Sequence, residues 1–532
     1  MFLIFLATIL SNNSYYLWYI LVHLIGDMQG SGRKKMNNWL KKAAPVALAG
    51  TLLAGCSFGS GSKENNPEQT VRVMYYDESA FFQNYGMLYS ALYPNVNFEV
   101  VSTQSLYRSG PSEDGEEFDY EKALQKLIDE EKPDVLMIDQ GQYKKLAEEG
   151  KLLDIEAYMA KDKFDTEGIV PGMLDYMKEL GGGQLYGFPS SFSSQVLYYN
   201  KGLFDKYNIA YPTDQMTWQD AIQLARQFPI EGEAEDRVYG LKIGYSGDLN
   251  EMSSMLASAE NLKYVDTKSK KMTIDSDGWR NVVQTSLDAL NSKALYFENM
   301  DQGMMGGSSS YEDYLMRNPF LSGRLAMTVD STYLMQQIKE AKNYIKDEGA
   351  VISDWDMVTM PVSAQYPDQS ANTWYSDIFA IAKDSPNAEA AWDFISYISS
   401  DDYSRVKAKV TNMGGFPIRT AYIKDEEGRN YAAFYKLKPT QSMQDYRDFE
   451  SLNPQFNMMF YGYMQEEFKA VQDGAKSIDE ALKTLQVKGD ELLSQEPMTE
   501  EEMNKEMEKR MAEEQKRMME AAGEGTSEAV VE

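Results

Sequence analysis

The sequence predicts an α/β protein divided into more than one domain, and three observations carry that prediction. The 532 residues exceed what one hydrophobic core covers, since single cores stop growing at roughly 250–300 residues. Hydrophobic residues make up 43% and aromatic residues 12% of the chain, a composition that folds rather than staying disordered. Between residues 71 and 139, strand-like and helix-like segments alternate, the pattern of a parallel or mixed sheet with helices on its faces.

The elements follow in order. Val71–Tyr76 is rich in β-branched and aromatic residues and reads as the first strand. Ser79–Leu92 reads as a helix stopped at Tyr93-Pro94-Asn95. Val96–Val101 alternates and forms a second strand, and an acidic loop over 109–117 leads into a helix at Tyr120–Glu131. Pro133–Asp139 carries a near-continuous apolar run, as a parallel strand covered on both faces does. Ligands of such sheets bind in the crevice beyond the carboxyl ends of strands. Tyr76, Asp77, Asp139 and Gln140 occupy those ends.

The supply of reactive groups is thin. There is one Cys (Cys56) and one His (His23), and both precede the globular region. This excludes an internal disulfide framework, a Ser-His-Asp triad, a Cys-His pair and a His-ligated zinc site. It also disfavours capture of a transition metal. No cofactor or metal is expected, and the chemistry points to binding rather than catalysis. The formal charge of −30, from 82 acidic against 52 basic residues, repels nucleic acid and anionic headgroups, so neither is an expected partner.

The N-terminus carries an address. Lys41 and Lys42 precede an apolar stretch from Ala43 to Leu53, shorter than the roughly 20 apolar residues that span a bilayer. Leu53-Ala54-Gly55-Cys56 resembles the lipobox of bacterial lipoproteins, which implies lipidation of Cys56 and cleavage before it. Residues 36–55 are then the signal peptide and 56–70 a polar, Gly/Ser-rich tether. Residues 1–35 hold a second apolar stretch and read as an over-extended start, with translation beginning at Met36. The alternative is a genuine additional membrane segment.

Further along, short motifs come in a family's order. PDVLMIDQGQYKKLAEEGKLLDI, the pair Tyr186-Gly187-Phe188-Pro189 and Tyr198-Tyr199-Asn200-Lys201, and Thr217-Trp218-Gln219-Asp220 are followed by Gly323–Met327, Met360-Pro361, Phe379–Ile381 with Ala390–Ile395, and Gly414–Arg419. Together, over about residues 70–485, they resemble the family 1 extracellular solute-binding proteins. That resemblance implies a two-lobed periplasmic-binding-protein-like fold with three hinge crossovers and a ligand cleft between the lobes. By position, lobe 1 takes 71–189 plus 327–375 and lobe 2 takes 190–326 plus 376–486. The hinges fall near Pro189–Ser194, Thr328–Ser331 and Trp374–Asp377. The implied role is the non-enzymatic, monomeric binding component of an ABC importer, lipid-anchored at the extracellular face of the cytoplasmic membrane, with permease subunits as partners. Residues 487–532 lie outside the resemblance. There Thr499–Glu520 reads as a charged helix with Met503, Met507 and Met511 in one stripe, either solvated or docking a partner. Gly303–Tyr311 is either a surface loop or a lid.

The constellations suggest a sugar. Asp, Asn and Gln satisfy neighbouring hydroxyls, and aromatic faces stack on C–H patches. Such residues meet at Tyr75-Tyr76-Asp77, at Asp330-Ser331-Thr332-Tyr333 and at Asn372–Asp377. Trp374 and Tyr375 are the foremost stacking candidates, beside Asp377. Ser191 in the first hinge and Gly415 and Phe416 in the GG-P-R loop complete the expected contacts. Trp392 and Trp218 read as packing residues, Trp279 is open, and Arg419 is expected to pack. Tyr198 and Tyr199 should point to opposite faces of a strand. A carboxylate-based glycoside hydrolase or lyase, or a peptide-binding lipoprotein, stays open as an alternative. Cys56→Ser should abolish incorporation of labelled palmitate and release the chain from membranes; retained label would overturn the anchor.

Overall fold

The computed structural model describes residues 68–107, 119–233, 237–244, 246–297, 310–410, 415–424, 427–440, 449, 452–453 and 455–499, with six further positions up to 509. Cys56 with its leader, the glycine-rich 303–309 stretch and most of the expected C-terminal helix lie outside the described residues.

Two sheets organise the chain. The first has strand order β14-β4-β13-β3-β1-β2. It comprises β1 (Gln69–Tyr75), β2 (Val96–Ser102), β3 (Val135–Ile138), β4 (Gly187–Ser194), β13 (Thr373–Ile381) and β14 (Phe416–Pro417). The second has order β11-β5-β10-β6-β9, from β5 (Val196–Asn200), β6 (Tyr239–Lys242), β9 (Leu295–Tyr296), β10 (Leu325–Asp330) and β11 (Trp355–Thr359). Two small pairs accompany them: β7 (Val265–Asp266) with β8 (Lys271–Met272), and β12 (Gln369–Ser370) with β15 (Lys438–Pro439).

The first βα units form as the sequence predicts. β1 pairs in parallel with both β2 and β3. Asp77 caps the next helical stretch, Glu78–Leu92, which contains one wide π turn at Phe82–Gly86. Asp139 caps the helix Gln140–Glu148 through a reciprocal capping box with Gln142. At the other end of β3, buried Asp134 accepts from Arg72 N at 2.8 Å and from Ser385 Oγ at 2.6 Å. One carboxylate thereby ties β1, β3 and the loop after β13 together.

The lobe assignment needs a correction. Residues 327–375 do not return to the first lobe: β10 and β11 flank β5 on either side in the second sheet. The return comes later, with β13 between β3 and β4. The Ala388–Ile398 helix lies on the first sheet, where Phe394 meets Phe81, Phe98 and Phe379. Residues 376–423 therefore belong to lobe 1 rather than lobe 2. The reason lies in backbone pairing. All five residues of β5 are buried, so each of its edges needs a hydrogen-bonded neighbour before the chain can leave. After the last crossover, the helices Gln455–Gln472 and Ile478–Ser494 pack on the second lobe, with Met272 N donating to Asp490 at 3.0 Å and Leu249 N to Gln472 at 2.9 Å.

The crossovers lie side by side. Gln195, between β4 and β5, donates its N–H to Asn372 O at 3.1 Å, and Asn372 Nδ2 returns a bond to Gln195 Oε1 at 2.6 Å. Ser194 and Thr373 hydroxyls meet at 2.9 Å. The first crossover thus lies at Gln195, just past the 189–194 span, and the second at 370–373, just before Trp374–Asp377. The expected hinge at Thr328–Ser331 is instead the end of β10 and the cap of the Thr332–Tyr344 helix. The third crossing falls between Ile423 and Asn430, whose N–H bonds Asp356 at 2.9 Å and whose side chain bonds Asp214 at 3.0 Å.

Packing residues sit as expected. Tyr198 and Tyr199 enter two different hydrophobic clusters on opposite faces of β5. Trp392 is buried and donates to Asp162 at 2.7 Å, Trp218 is buried behind its Thr217 cap, and Trp279, which the sequence left open, is core. Arg419 is buried and donates to the carbonyls of Ser399, Glu167 and Asp165 at 2.7–3.0 Å. Gly187 marks the tightest approach in the β4–β13 ladder, because a Cβ there would stand 2.3 Å from Phe379 O. Gly187→Ala should lower stability by about 1–3 kcal/mol, read as a reduced denaturant midpoint; an unchanged midpoint would contradict the packing.

Candidate ligand-binding cleft

Strand direction decides which groups can share a site. β1 and β3 are parallel, and β13 runs antiparallel beside β3 with Ile378 opposite Ile138. Extending that register puts Tyr76, Ile138 and Ile378 on one level, and Asp77, Asp139 and Asp377 on the next. Three carboxylates from three separate stretches of sequence therefore line one edge of the first sheet. This is the edge from which β4 departs toward the second lobe.

Each carboxylate has a definite local attachment. Asp77 accepts from Ala80 N at 2.8 Å and Asp139 from Gln142 N at 2.9 Å, so each spends one oxygen as a helix cap. Asp377 sits in the left-handed region at φ 50°, which Asp tolerates better than most residues. Its Oδ2 accepts from Tyr85 OH at 2.8 Å, and Tyr85 OH also meets Ser190 Oγ at 2.8 Å. Lys407, from the helix Asp401–Val410, stands 5.5 Å from the Tyr85 ring. Burial lowers the Lys407 ammonium, while the Asp377 charge opposes that effect.

The two foremost aromatic candidates part company. Trp374 is 39% exposed, whereas Tyr375 is buried against Tyr176 at 5.5 Å. The buried Tyr375 hydroxyl has no hydrogen-bond partner among the described residues. Gln140 links this corner to the helix edge: Tyr176 OH donates to Gln140 Oε1 at 2.6 Å, and Gln140 Nε2 donates to Tyr375 O. Tyr76, 42% exposed, continues the aromatic surface across the strand ends. Ser191 is buried within β4, paired with Ser376 on one side and Pro417 on the other. Gly415 has φ 87°, and a Cβ there would stand 2.7 Å from Phe192 O, so the loop presses directly on β4. Phe416 packs between Phe192 and Phe434 at 5.5 and 4.8 Å. Gly415 and Phe416 thus build the hinge wall.

The second lobe presents the matching edge. Asp330 pairs opposite Val196, the first residue after the crossover, and β6 and β9 run parallel to β10. Their carboxyl ends bring Asp330, Lys242 and Tyr296 to the same side. Ser331 caps the Thr332–Tyr344 helix, and Tyr333 in its first turn is 50% exposed. Lys242, Tyr296, Tyr85 and Lys407 were not found from sequence. The first two follow from strand direction once β6 and β9 are recognised. The other two are brought in by helices whose local pattern carries no sign of the contact.

Two α/β lobes joined by adjacent crossovers, with strand ends facing a shared edge, define a bilobal ligand-binding protein. The chain belongs to the bacterial extracellular solute-binding protein family, whose pattern matches residues 74–404, more than half of its length. Putative binding proteins of Brucella abortus are 24% identical over 285 residues, covering 52% of this chain and 61% of theirs; the chain thus spans about three fifths of those relatives. A maltooligosaccharide ABC transporter solute-binding lipoprotein of Streptococcus pneumoniae is 23% identical over 375 residues, 66% of this chain and 77% of the relative. Among solved structures, a family 1 extracellular solute-binding protein of Alicyclobacillus acidocaldarius shares the fold at TM-score 0.54 and 13% identity, over 81% of this chain and 100% of its own. The sugar-binding protein MalE of Xanthomonas citri does so at TM-score 0.53 and 18% identity, over 80% and 97%.

The buried phenols at this edge set an alkaline limit. Burial, chiefly, pushes Tyr75 and Tyr176 up to about 12, above the ordinary value of about 10. Between those values the unfolded chain holds fewer protons than the folded one, so stability falls as pH rises. Denaturant midpoints should be flat up to about pH 9 and decline above about pH 10. A tyrosinate absorbance titration finding every phenol ionised near 10 in the folded chain would refute this.

Proposed function

We propose that the chain is the substrate-binding component of an ABC importer, anchored through Cys56 at the extracellular face of the cytoplasmic membrane, and that it captures a neutral oligosaccharide by lobe closure. One observation carries the reading. Asp77, Asp139 and Asp377 share one end of the first sheet with the exposed ring of Tyr76, the exposed ring of Trp374 lies three residues from Asp377 on β13 beside the crossover, and Tyr333 stands at the corresponding edge of the second lobe. Carboxylates accept from hydroxyls in pairs, and exposed rings offer stacking faces. The acidic edge favours uncharged sugars over uronates or phosphorylated ones. The Streptococcus pneumoniae relative supports an oligosaccharide.

Closure needs no chemistry on the ligand. An open form admits the sugar, and the closed form adds contacts from the other lobe. The ligand shifts this equilibrium only by its extra affinity for the closed state. A micromolar dissociation constant corresponds to about −8 kcal/mol, enough to offset a hinge penalty of a few. The loaded form then docks on permease subunits. The chain acts as a monomer and uses no cofactor.

The test is thermal unfolding of the full chain against ladders of α-1,4-gluco-, β-1,4-gluco- and β-1,4-xylo-oligosaccharides and short peptides. Ligand at about 100 times its dissociation constant adds about 2.7 kcal/mol of stability. We expect one ladder to raise the midpoint and to be recovered intact. Trp374→Ala should weaken that binding about tenfold, or about 1.4 kcal/mol. Cleavage of the sugar would point to a hydrolase, and a response to peptides alone would end the carbohydrate reading.

A further inference from the structure

From the end of β10 outward, the second lobe carries a concentration of exposed rings. Tyr311 and Tyr314 are each 47% exposed, Tyr333 is 50% exposed and Tyr344 63%. Tyr311 and Tyr314 belong to the short helix Tyr311–Arg317, and Tyr333 and Tyr344 to the helix Thr332–Tyr344. The rings are organised rather than scattered. Tyr311 and Tyr314 lie nearly parallel, with centroids 5.9 Å apart and planes at 19°. Tyr344 meets Tyr311 edge to face at 5.3 Å. Tyr311 OH donates to Glu340, and Gln336 Nε2 donates to the other oxygen of Glu340 at 3.0 Å.

Helical spacing joins these groups into a strip. Positions 333, 336, 340 and 344 follow one face, and eleven residues at 1.5 Å each cover about 16 Å. The strip starts with Tyr333, at the edge where β10 ends beside Asp330, and runs away from it. Tyr311, held by Glu340, and Tyr314 and Tyr344, held by their contacts with it, lose little further freedom when a ligand arrives. Flat faces alternating with a carboxylate and an amide suit polyols, which offer both C–H patches and hydroxyls. An apolar protein partner would leave Glu340 and Gln336 to be desolvated without new bonds.

We propose that this strip is a second carbohydrate subsite outside the cleft, a track for the protruding end of a linear oligosaccharide whose other end sits between the lobes. Tyr311, Tyr314 and Tyr344 supply the stacking faces, and Glu340 with Gln336 accepts and donates at the hydroxyls. The proposal rests on the carbohydrate reading of the cleft. It adds a length preference: affinity rises with each ring until the track is filled.

The test compares the full chain with its Tyr311→Ala/Tyr344→Ala variant by calorimetry, using the same three ladders from disaccharide to heptasaccharide. We expect the variant to bind disaccharides as the parent does and to lose about tenfold in affinity for the heptasaccharide of the bound ladder. Circular dichroism and the unfolding midpoint check that the variant is folded, and Glu340→Gln, which keeps both rings, should produce a smaller loss confined to the longer sugars. An identical dependence on length in parent and variant would overturn the track while leaving the cleft intact. If no ladder binds the parent, the carbohydrate reading of the cleft falls and the track falls with it. A change in sedimentation of the variant, with sugar binding unaltered at every length, would assign the strip to contact between copies instead.

Discussion

The fold depends on the crossovers being bonded to one another. Gln195 and Asn372 exchange two hydrogen bonds, and Ser194 and Thr373 a third, at the point where β4 becomes β5 and the chain returns into β13. Because both passages leave from the same edge, the carboxyl ends of the first sheet and those of the second are brought to one side. The cleft is a consequence of that constraint. An aromatic seam runs beside it, from Phe192 through Phe416 and Phe434 to Tyr198 at centroid spacings of 4.8–6.4 Å. Phe434 follows the third crossing, so the seam joins both lobes.

The two sides of the cleft are held differently. On the first lobe, Asp377 is fixed by Tyr85, itself bonded to Ser190, stacked on Tyr403 and met edge to face by Tyr75 and Phe379. A carboxylate in a left-handed backbone position, with a buried phenol donating to it, loses little on meeting a ligand hydroxyl because its orientation is already set. The second lobe offers Asp330 and Tyr333 at a helix start, and the Tyr333 face leads onward to the exposed tyrosines. One wall is thus preorganised, and the other offers an extended surface.

Much of this was legible in the residues. The strands at 71–76, 96–101 and 133–139 and the helices at 120–131 and 388–398 form where their apolar patterns and caps indicate. Asp77 and Asp139 stand at the ends of β1 and β3, where the strand pattern placed them. Trp392 and Arg419 were correctly taken as packing groups. The error lay in the discontinuous lobes. Residues 327–375 carry two strands, and nothing local says that both pair with β5 before the chain goes back. Tyr375 looked equivalent to Trp374, yet strand alternation turns one ring into the lobe and leaves the other at the surface.

The sequence by itself determined the α/β character, the start and type of most elements, and the absence of His and Cys after Cys56. These are properties of short stretches, set by side-chain periodicity, caps and composition. Only the tertiary structure decided which strands share a sheet, where the chain crosses between the sheets, and that Asp77, Asp139 and Asp377 form one edge with Lys407 and Tyr85 beside it. Those relations join residues about 300 positions apart (Tyr85 and Asp377 stand at a separation of 292). They are fixed by the need of buried strand edges for hydrogen-bond partners, which no local pattern encodes.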